Sequence, residues 1–382
     1  MPQQGVLTGI RVLDLSRMLP GPYCSMILGD HGAQVIAIED KKFQSDGLFF
    51  SDLNRNKRHL SLNLKSPQGM EVFFRLVEKA DVILEGFRPG VVERLGVDYQ
   101  TVRQKNPRII YCSISGFGQT GPARLRAGHD VNYLSASGVL SLIGEKHRPP
   151  AIPGVQVADI AGGGLNAVIG ILLALLARER TGEGQYIDIS MTDGMVGFLS
   201  LPYYFARQNG QPPQQGDALL SHRYACYNTY ETADGRYLAL GAVENKFWRG
   251  LCDHLQCPEY IALQYDETRR QEIIDFLRQT FLGKTLAAWE AELAGLDICC
   301  TVVRTMDEVL TNELFQEREM VYSYTDANGA ERHGFGIPVK LSRTPGSIRT
   351  MPTAFGAATR EILAEAGYTD DQIAAMVAGG VV

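Results

Sequence analysis

Short apolar runs alternate with amphipathic stretches through the first third of the chain. The segments "IRVLDLS" (10–16), "AQVIAIE" (33–39), "RHLSLNLK" (58–65), "DVILEGF" (81–87) and "RIIYCSISGFG" (108–118) read as strands. Between them, "GPYCSMILGDHG" (21–32) reads as a helix closed by glycine. "SPQGMEVFFRLVEKA" (66–80) carries a Ser cap, Pro at the first helical position and apolar residues at helical spacing. Repeated β-α-β units with short apolar strands predict an α/β fold, a Rossmann-like parallel sheet with helices packed on it.

The pattern changes near residue 200. A Gln/Pro/Gly-rich linker is expected within 201–224, and a smaller α+β domain over 225–329. That domain would hold a hairpin turning at Asp234-Gly235 and helices near 245–255, 268–281, 286–294 and 306–318. A second hairpin is expected to turn at Asn328-Gly329. Residues 1–200 and 330–382 would form the large domain, ending in two short helices, the second capped by Thr369.

The 382 residues are 45% apolar and 21% charged, with a net charge of −6 and dispersed basic residues, which excludes nucleic acid as an expected partner. Seven cysteines without metal spacing read as a reducing, cytoplasmic setting, with no secretory signal or peroxisomal address. The greasiest run, "AVIGILLALLA" (167–177), falls short of the roughly 20 residues of a bilayer span, so it is expected as a buried helix and no membrane partner is expected.

"GFGQTG" (116–121) fits a dinucleotide fingerprint, but Pro122 follows at once and no amphipathic helix begins there. A tight strand-end turn is the better reading. Three acid/base candidates remain. His129, in "RAGHDVNY", is either a structural histidine or a proton-transfer group. Asp159 leads into Gly162-Gly163-Gly164 and a greasy helix, as a cap or as a rigid, partly dehydrated catalytic carboxyl. Glu244 ends a strand as cap or site residue. Arg55, Lys57, Arg58 and Lys65 form one basic group and Arg88 and Arg94 another, suggesting an anionic ligand at the ends of neighbouring strands.

Taken in order, "DLSRMLPGPYCSMILGDHGAQVIAIE", "NRNKRHLSLNLK", "EGFRPGVVERLG", "ISGFGQTGP" and "LLARERTGEGQYIDISMTDGM" resemble the family III CoA-transferases of the CaiB/BaiF type. The likeness spans almost the whole chain. "AGHDVNY", the segment around Asp159 and the Glu of "LGAVENKFW" resemble the racemase branch acting on 2-methylacyl-CoA thioesters.

That resemblance implies an interlocked homodimer, and an acyl-CoA substrate with no cofactor beyond the CoA it carries. It assigns proton transfer to His129, supported by Glu244, on one face and to Asp159 on the other, with the Asp159 N–H as enolate donor. It assigns CoA or substrate contacts to Leu62, Asn63, Leu64, Lys65, Gly86, Phe87, Arg88, Arg94, Gly128, Asp130, Asn132 and Tyr133. Asp130 would orient His129 or meet the pantetheine arm. Asp40 stands where the racemases carry arginine, and Lys41 is the expected substitute. The rival implication is a CoA-transferase with Asp159 as nucleophile.

Overall fold

A computed structural model describes residues 5–44, 51–326 and 329–382. Six strands form one all-parallel sheet: β1 (Arg11–Asp14), β2 (Gln34–Glu39), β3 (Lys57–Ser61), β4 (Val82–Glu85), β5 (Ile110–Ser115) and β6 (Tyr186–Ser190). Their order is β3-β2-β1-β4-β5-β6, the Rossmann arrangement that the alternating pattern predicts.

Strand alternation divides the packing. Leu13, Ile36, Leu60, Ile83 and Tyr111 are buried in one cluster with Val72, Phe73 and Leu76 of α2 (Pro67–Val77). Fully burying each such side chain contributes about 1.5–3 kcal/mol. Ser66 caps α2 by accepting the Gly69 N–H, and Pro67 occupies its first turn. The C-terminal helices Thr359–Glu365 and Asp370–Ala378 add Ile362, Ile373 and Met376 to this core, and Thr369 caps the second by accepting the Gln372 N–H. Asp14, between Leu13 and Leu15, instead turns toward α1 (Pro20–Asp30), where Ser25 donates to it.

Helices α3 (Val91–Leu95) and α4 (Tyr99–Lys105) follow β4, and α5 (Asp130–Ala136) follows β5. A π-helical segment, Ala158–Leu165, runs directly into α6 (Asn166–Thr181), and α7 (Met191–Val196) follows β6. Together Ala158–Thr181 is long and apolar enough to cross a membrane by length and composition. It packs on β5, β6 and α1. The expected burial holds for one flank only: Ile171 and Ala174 are buried, whereas Ile169, Leu172, Leu173 and Leu176 are exposed in the single chain.

The chain divides into two compact units, one of Met1–Ser137, Pro153–Phe198 and Glu319–Val382, the other of Gly138–Ile152 and Leu199–Arg318. Residues 138–152 therefore leave the expected large domain. Lys146 pairs with Asp217 at 2.6 Å, and Gln215 donates to the Pro149 carbonyl. The first part of the expected linker 201–224, up to Asn209, is helical, as α8 (Ser200–Asn209).

The second unit contains β7 (Tyr227–Glu231), β8 (Tyr237–Gly241), β9 (Cys300–Val302) and α9 (Asn245–His254) around Trp248, Tyr230 and Phe281. β7 and β8 are antiparallel, and Gly235 takes the left-handed conformation at their turn. The other hairpin, β10 (Val321–Thr325) with β11 (Glu331–Phe335), belongs to the first unit. Asn328 of its expected turn lies outside the described residues.

Candidate active site

In an open parallel sheet, ligands bind beyond the carboxyl ends of the strands, where the strand order reverses. Here that point lies between β1 and β4, and a cleft of ≈ 590 Å³ occupies it. Each nearby strand contributes to its wall: Ser16 and Arg17 after β1, Lys42 and Phe43 after β2, Leu62, Leu64 and Lys65 after β3, Phe87 and Arg94 after β4.

The loop after β1 is built on a buried polar network. Asp14 accepts from the Ser16 N–H at 2.9 Å and from the hydroxyls of Ser16 and Ser25. Lys57, fully buried, donates to the Pro22 carbonyl at 2.9 Å and to Asn54 at 3.2 Å, with Asp14 3.7 Å away. Burial pushes the Lys57 ammonium's pKa down, and the Asp14 charge opposes that shift. Met18 on the cleft wall has φ +71°, a left-handed conformation that costs a non-glycine residue free energy.

A second group of residues converges near the ends of β4 and β5. Glu85 at the end of β4 is buried, accepts the Phe87 N–H at 2.7 Å and so shapes the turn Gly86-Phe87-Arg88. Phe87 faces the cleft, while burial and then the Asp159 charge push the Tyr133 hydroxyl up to about 12, with the Arg88 charge opposing them. Tyr133 donates to the Gly128 carbonyl at 2.5 Å and packs edge-on against Phe117. A Cβ at Gly116 or Gly128 would lie within 2.3 or 2.7 Å of its ring, so these glycines make room for the tyrosine. The glycines of "GFGQTG" thus serve a strand-end turn, with Gly118 and Gly121 at positive φ.

Asp159 lies in the first turn of the π-helical segment, a helical form frequent at functional sites. Gly162, Gly163 and Gly164 let this turn approach its neighbours. A Cβ on Gly162 would meet the Met191 carbonyl oxygen at 2.6 Å, and one on Gly164 would meet the Pro20 carbonyl at 3.0 Å. Asp159 caps nothing through its side chain; Asp130 takes the leading amides instead, accepting from Ala158 N–H at 2.6 Å and Asp159 N–H at 3.0 Å.

The Asp159 carboxyl is pushed up to about 6, first by burial and then by the Asp130 charge, while the charge of His129 pulls it down. Acid and base forms of such a group are both populated near neutrality, which suits proton transfer in either direction. His129 is exposed and precedes α5; its own N–H donates to Asn132 Oδ1 at 3.0 Å.

Two groups therefore emerge from the expected residues. Leu62, Leu64, Lys65, Phe87 and Arg94 share the cleft. Arg88, Gly128, His129, Asp130, Asn132, Tyr133 and Asp159 gather at the other end of the Gly86–Arg88 turn. Asn63 lies off the main cleft, beside a smaller cavity, where its N–H donates to the Val381 carbonyl. Glu244 belongs to the second unit, immediately before α9, where its side chain makes no capping bond.

Four expectations change. The basic segment 55–58 is not an anion site: Arg55 pairs with buried Asp30 at 2.6 Å, Lys57 is committed internally, and Arg58 pairs with Glu361 and Glu365. The strands carrying the two basic groups, β3 and β4, are not neighbours, because β2 and β1 lie between them. Lys42, not Lys41, faces the main cleft. Both Asp130 and the Asp159 N–H are engaged with each other, because the first amides of a helix have no intrahelical acceptor and Asp130 supplies one. Arg17, Lys42, Phe43 and Asp14 were not anticipated; their position after β1 and β2 of a Rossmann order was the available signal.

The sequence matches CoA-transferase family III over residues 7–359. Human alpha-methylacyl-CoA racemase is 38% identical over 376 residues, covering 96% of this chain and 95% of that protein. The succinyl-CoA:mesaconate CoA-transferase of Haloarcula marismortui is 34% identical, covering 95% and 97%. Among solved structures, a CAIB/BAIF family protein from Brucella suis matches with a TM-score of 0.83 at 29% identity, over 95% of this chain and all (100%) of that one. With the family match running from before β1 to the first C-terminal helix and relatives aligned over nearly their full length, this chain belongs to CoA-transferase family III.

Proposed function

We propose that this protein interconverts (R)- and (S)-2-methylacyl-CoA thioesters by two-base 1,1-proton transfer. The observation that carries the reading is the gathering of His129 and a half-buried Asp159, held near neutrality, at one end of a turn whose Phe87 lines the cleft. The relative at 38% identity is named an alpha-methylacyl-CoA racemase, which supports the reaction class.

The thioester acidifies its α-carbon, yet the proton still needs a positioned base and a stabilised enolate. In one direction neutral His129 removes the proton from one face and protonated Asp159 delivers one to the other. The reverse direction exchanges these roles, so each half-reaction starts from one base and one acid. Lys65 and Arg94 supply positive charge for the phosphates of CoA, and the reaction uses no cofactor beyond the CoA carried by the substrate. The exposed flank of Ile169, Leu172, Leu173 and Leu176 suits a second copy of this chain, in keeping with an interlocked homodimer.

The second reading is CoA transfer, favoured by the relative at 34% identity named as a CoA-transferase. There the Asp159 carboxylate attacks the thioester carbonyl, expels CoA thiolate and forms a mixed anhydride, which the thiolate then reopens to an aspartyl-CoA thioester.

One experiment separates the two. The protein is incubated with (S)-2-methylacyl-CoA in D₂O without any acceptor acid, and the α-carbon is followed by NMR. Exchange with inversion, lost in His129→Ala and Asp159→Ala, supports the racemase. Absence of exchange, with CoA transfer to an added carboxylate and an adduct on Asp159, establishes the transferase.

A further inference from the structure

Asp130 is the first residue of α5, adjacent to His129, and only 8% exposed. Its Oδ1 accepts two amides from a distant part of the chain, those of Ala158 at 2.6 Å and Asp159 at 3.0 Å. One oxygen thus ties the residue after His129 to the backbone of Asp159. We infer that Asp130 is a positioning residue for Asp159, locking the start of the π-helical turn by drawing its first two amides onto a single carboxylate oxygen.

This rests on the reading of Asp159 as an acid/base group. Two chemical consequences follow from the geometry. First, the Asp159 N–H is already donating, so it is not available to an enolate oxygen, and another donor must serve that role. Second, the Asp130 charge beside Asp159 disfavours a second carboxylate and preserves the acid form, while His129 acts in the opposite sense. Titratable side chains on elements packed against the turn include Tyr133 on α5, Tyr23 and Cys24 on α1, Asp193 on α7, Tyr186 and Asp188 on β6, and Tyr111 and Cys112 on β5, with Arg88 beyond β4.

The two functions of Asp130 separate by substitution. Asp130→Asn keeps an oxygen acceptor and removes the charge; Asp130→Ala removes both. Deuterium exchange at the α-carbon of (S)-2-methylacyl-CoA is measured from pH 5 to 9 for each, with thermal melts to establish folding. The expected result for Asp130→Asn is measurable exchange whose Asp159-dependent limb moves to lower pH. Asp130→Ala is expected to lose at least tenfold at every pH. A profile unchanged in Asp130→Ala, or the same uniform loss in both variants without displacement of the limb, overturns the proposal.

A second measurement does not depend on activity. In protein labelled with ¹³Cγ-aspartate, the Asp159 resonance is assigned from Asp159→Asn and titrated directly. A lower midpoint in Asp130→Asn supports the inference, and an unmoved one refutes it. If the wild-type protein shows no exchange at all, the racemase reading falls, while this titration still decides what Asp130 does.

Discussion

The Arg17 guanidinium lies 3.5 Å from the centroid of the Phe43 ring, and the Lys42 ammonium lies 4.4 Å from the same centroid. All three residues line the cleft beyond β1 and β2. Lys42 also pairs with Asp40 at 2.9 Å, so the aspartate that stands where an arginine was expected orients a lysine two positions later.

If this corner receives the phosphorylated adenosine of CoA, Lys42 supplies the charge. Lys42→Ala is then expected to weaken CoA binding about tenfold, equivalent to about 1.4 kcal/mol, with dephospho-CoA little affected. Isothermal titration with both ligands decides it. Equal losses for the two would remove Lys42 from phosphate recognition.

A raised carboxyl pKa also has a stability signature. Asp159 is held at about 6 in the folded protein, above its ordinary 3.8. The folded state therefore binds its proton more tightly, and the resulting stability is fully present below pH 4 and lost as pH rises through 6. Asp159→Asn has no such loss. Its melting temperature is expected to exceed that of the wild type at pH 8 and to approach it at pH 4, together with loss of exchange activity. A melting difference independent of pH would show that Asp159 ionises without cost.

What could be read in advance divides along physical lines. The strands and α2 were legible because burial imposes periodicity and because Ser66-Pro67 is a local helix start. The identity of the cleft-lining residues was less so. Arg17, Lys42 and Phe43 acquire their role only from the order β3-β2-β1-β4, which no local pattern encodes, and Phe355 joins the same wall from near the end of the chain. Arg55 and Lys57 misled for a related reason: charge in a sequence does not reveal that Asp30 and Asp14 lie beneath it.

The triple glycine before α6 offers a test of packing at the site. Gly162→Ala places a Cβ 2.6 Å from the Met191 carbonyl oxygen, a backbone atom that cannot swing away. Overpacking of this kind is expected to cost about 1–3 kcal/mol and to displace the turn that carries Asp159. Gly154→Ala, with nothing within 4 Å, is the control and should stay within about 0.5 kcal/mol. Urea denaturation and the exchange assay are run on both. Wild-type activity in Gly162→Ala would mean that close contact with α7 does not set the position of Asp159.

Lys57 tests whether a cation beside the cleft binds ligand or holds the loop. It is fully buried, its donors go to Pro22, Asn54 and the neighbourhood of Asp14, and no part of it lines the cleft. Lys57→Ala leaves Asp14 charged and without its nearest cation, which is expected to destabilise the protein by about 3–5 kcal/mol. Removing the other charge as well, in Lys57→Ala combined with Asp14→Asn, should recover part of that loss, giving a coupling energy of about 0.5–3 kcal/mol in a double-mutant cycle. Chemical denaturation of the four proteins measures it. The competing view, a phosphate-binding lysine, predicts the reverse: little change in unfolding midpoint and a steep, salt-dependent loss of CoA affinity. Because Asp14 also holds Ser16 and Ser25, the structural account further requires that Asp14→Asn alone loosen the Ser16–Met18 loop, lowering CoA affinity through the loop it shapes.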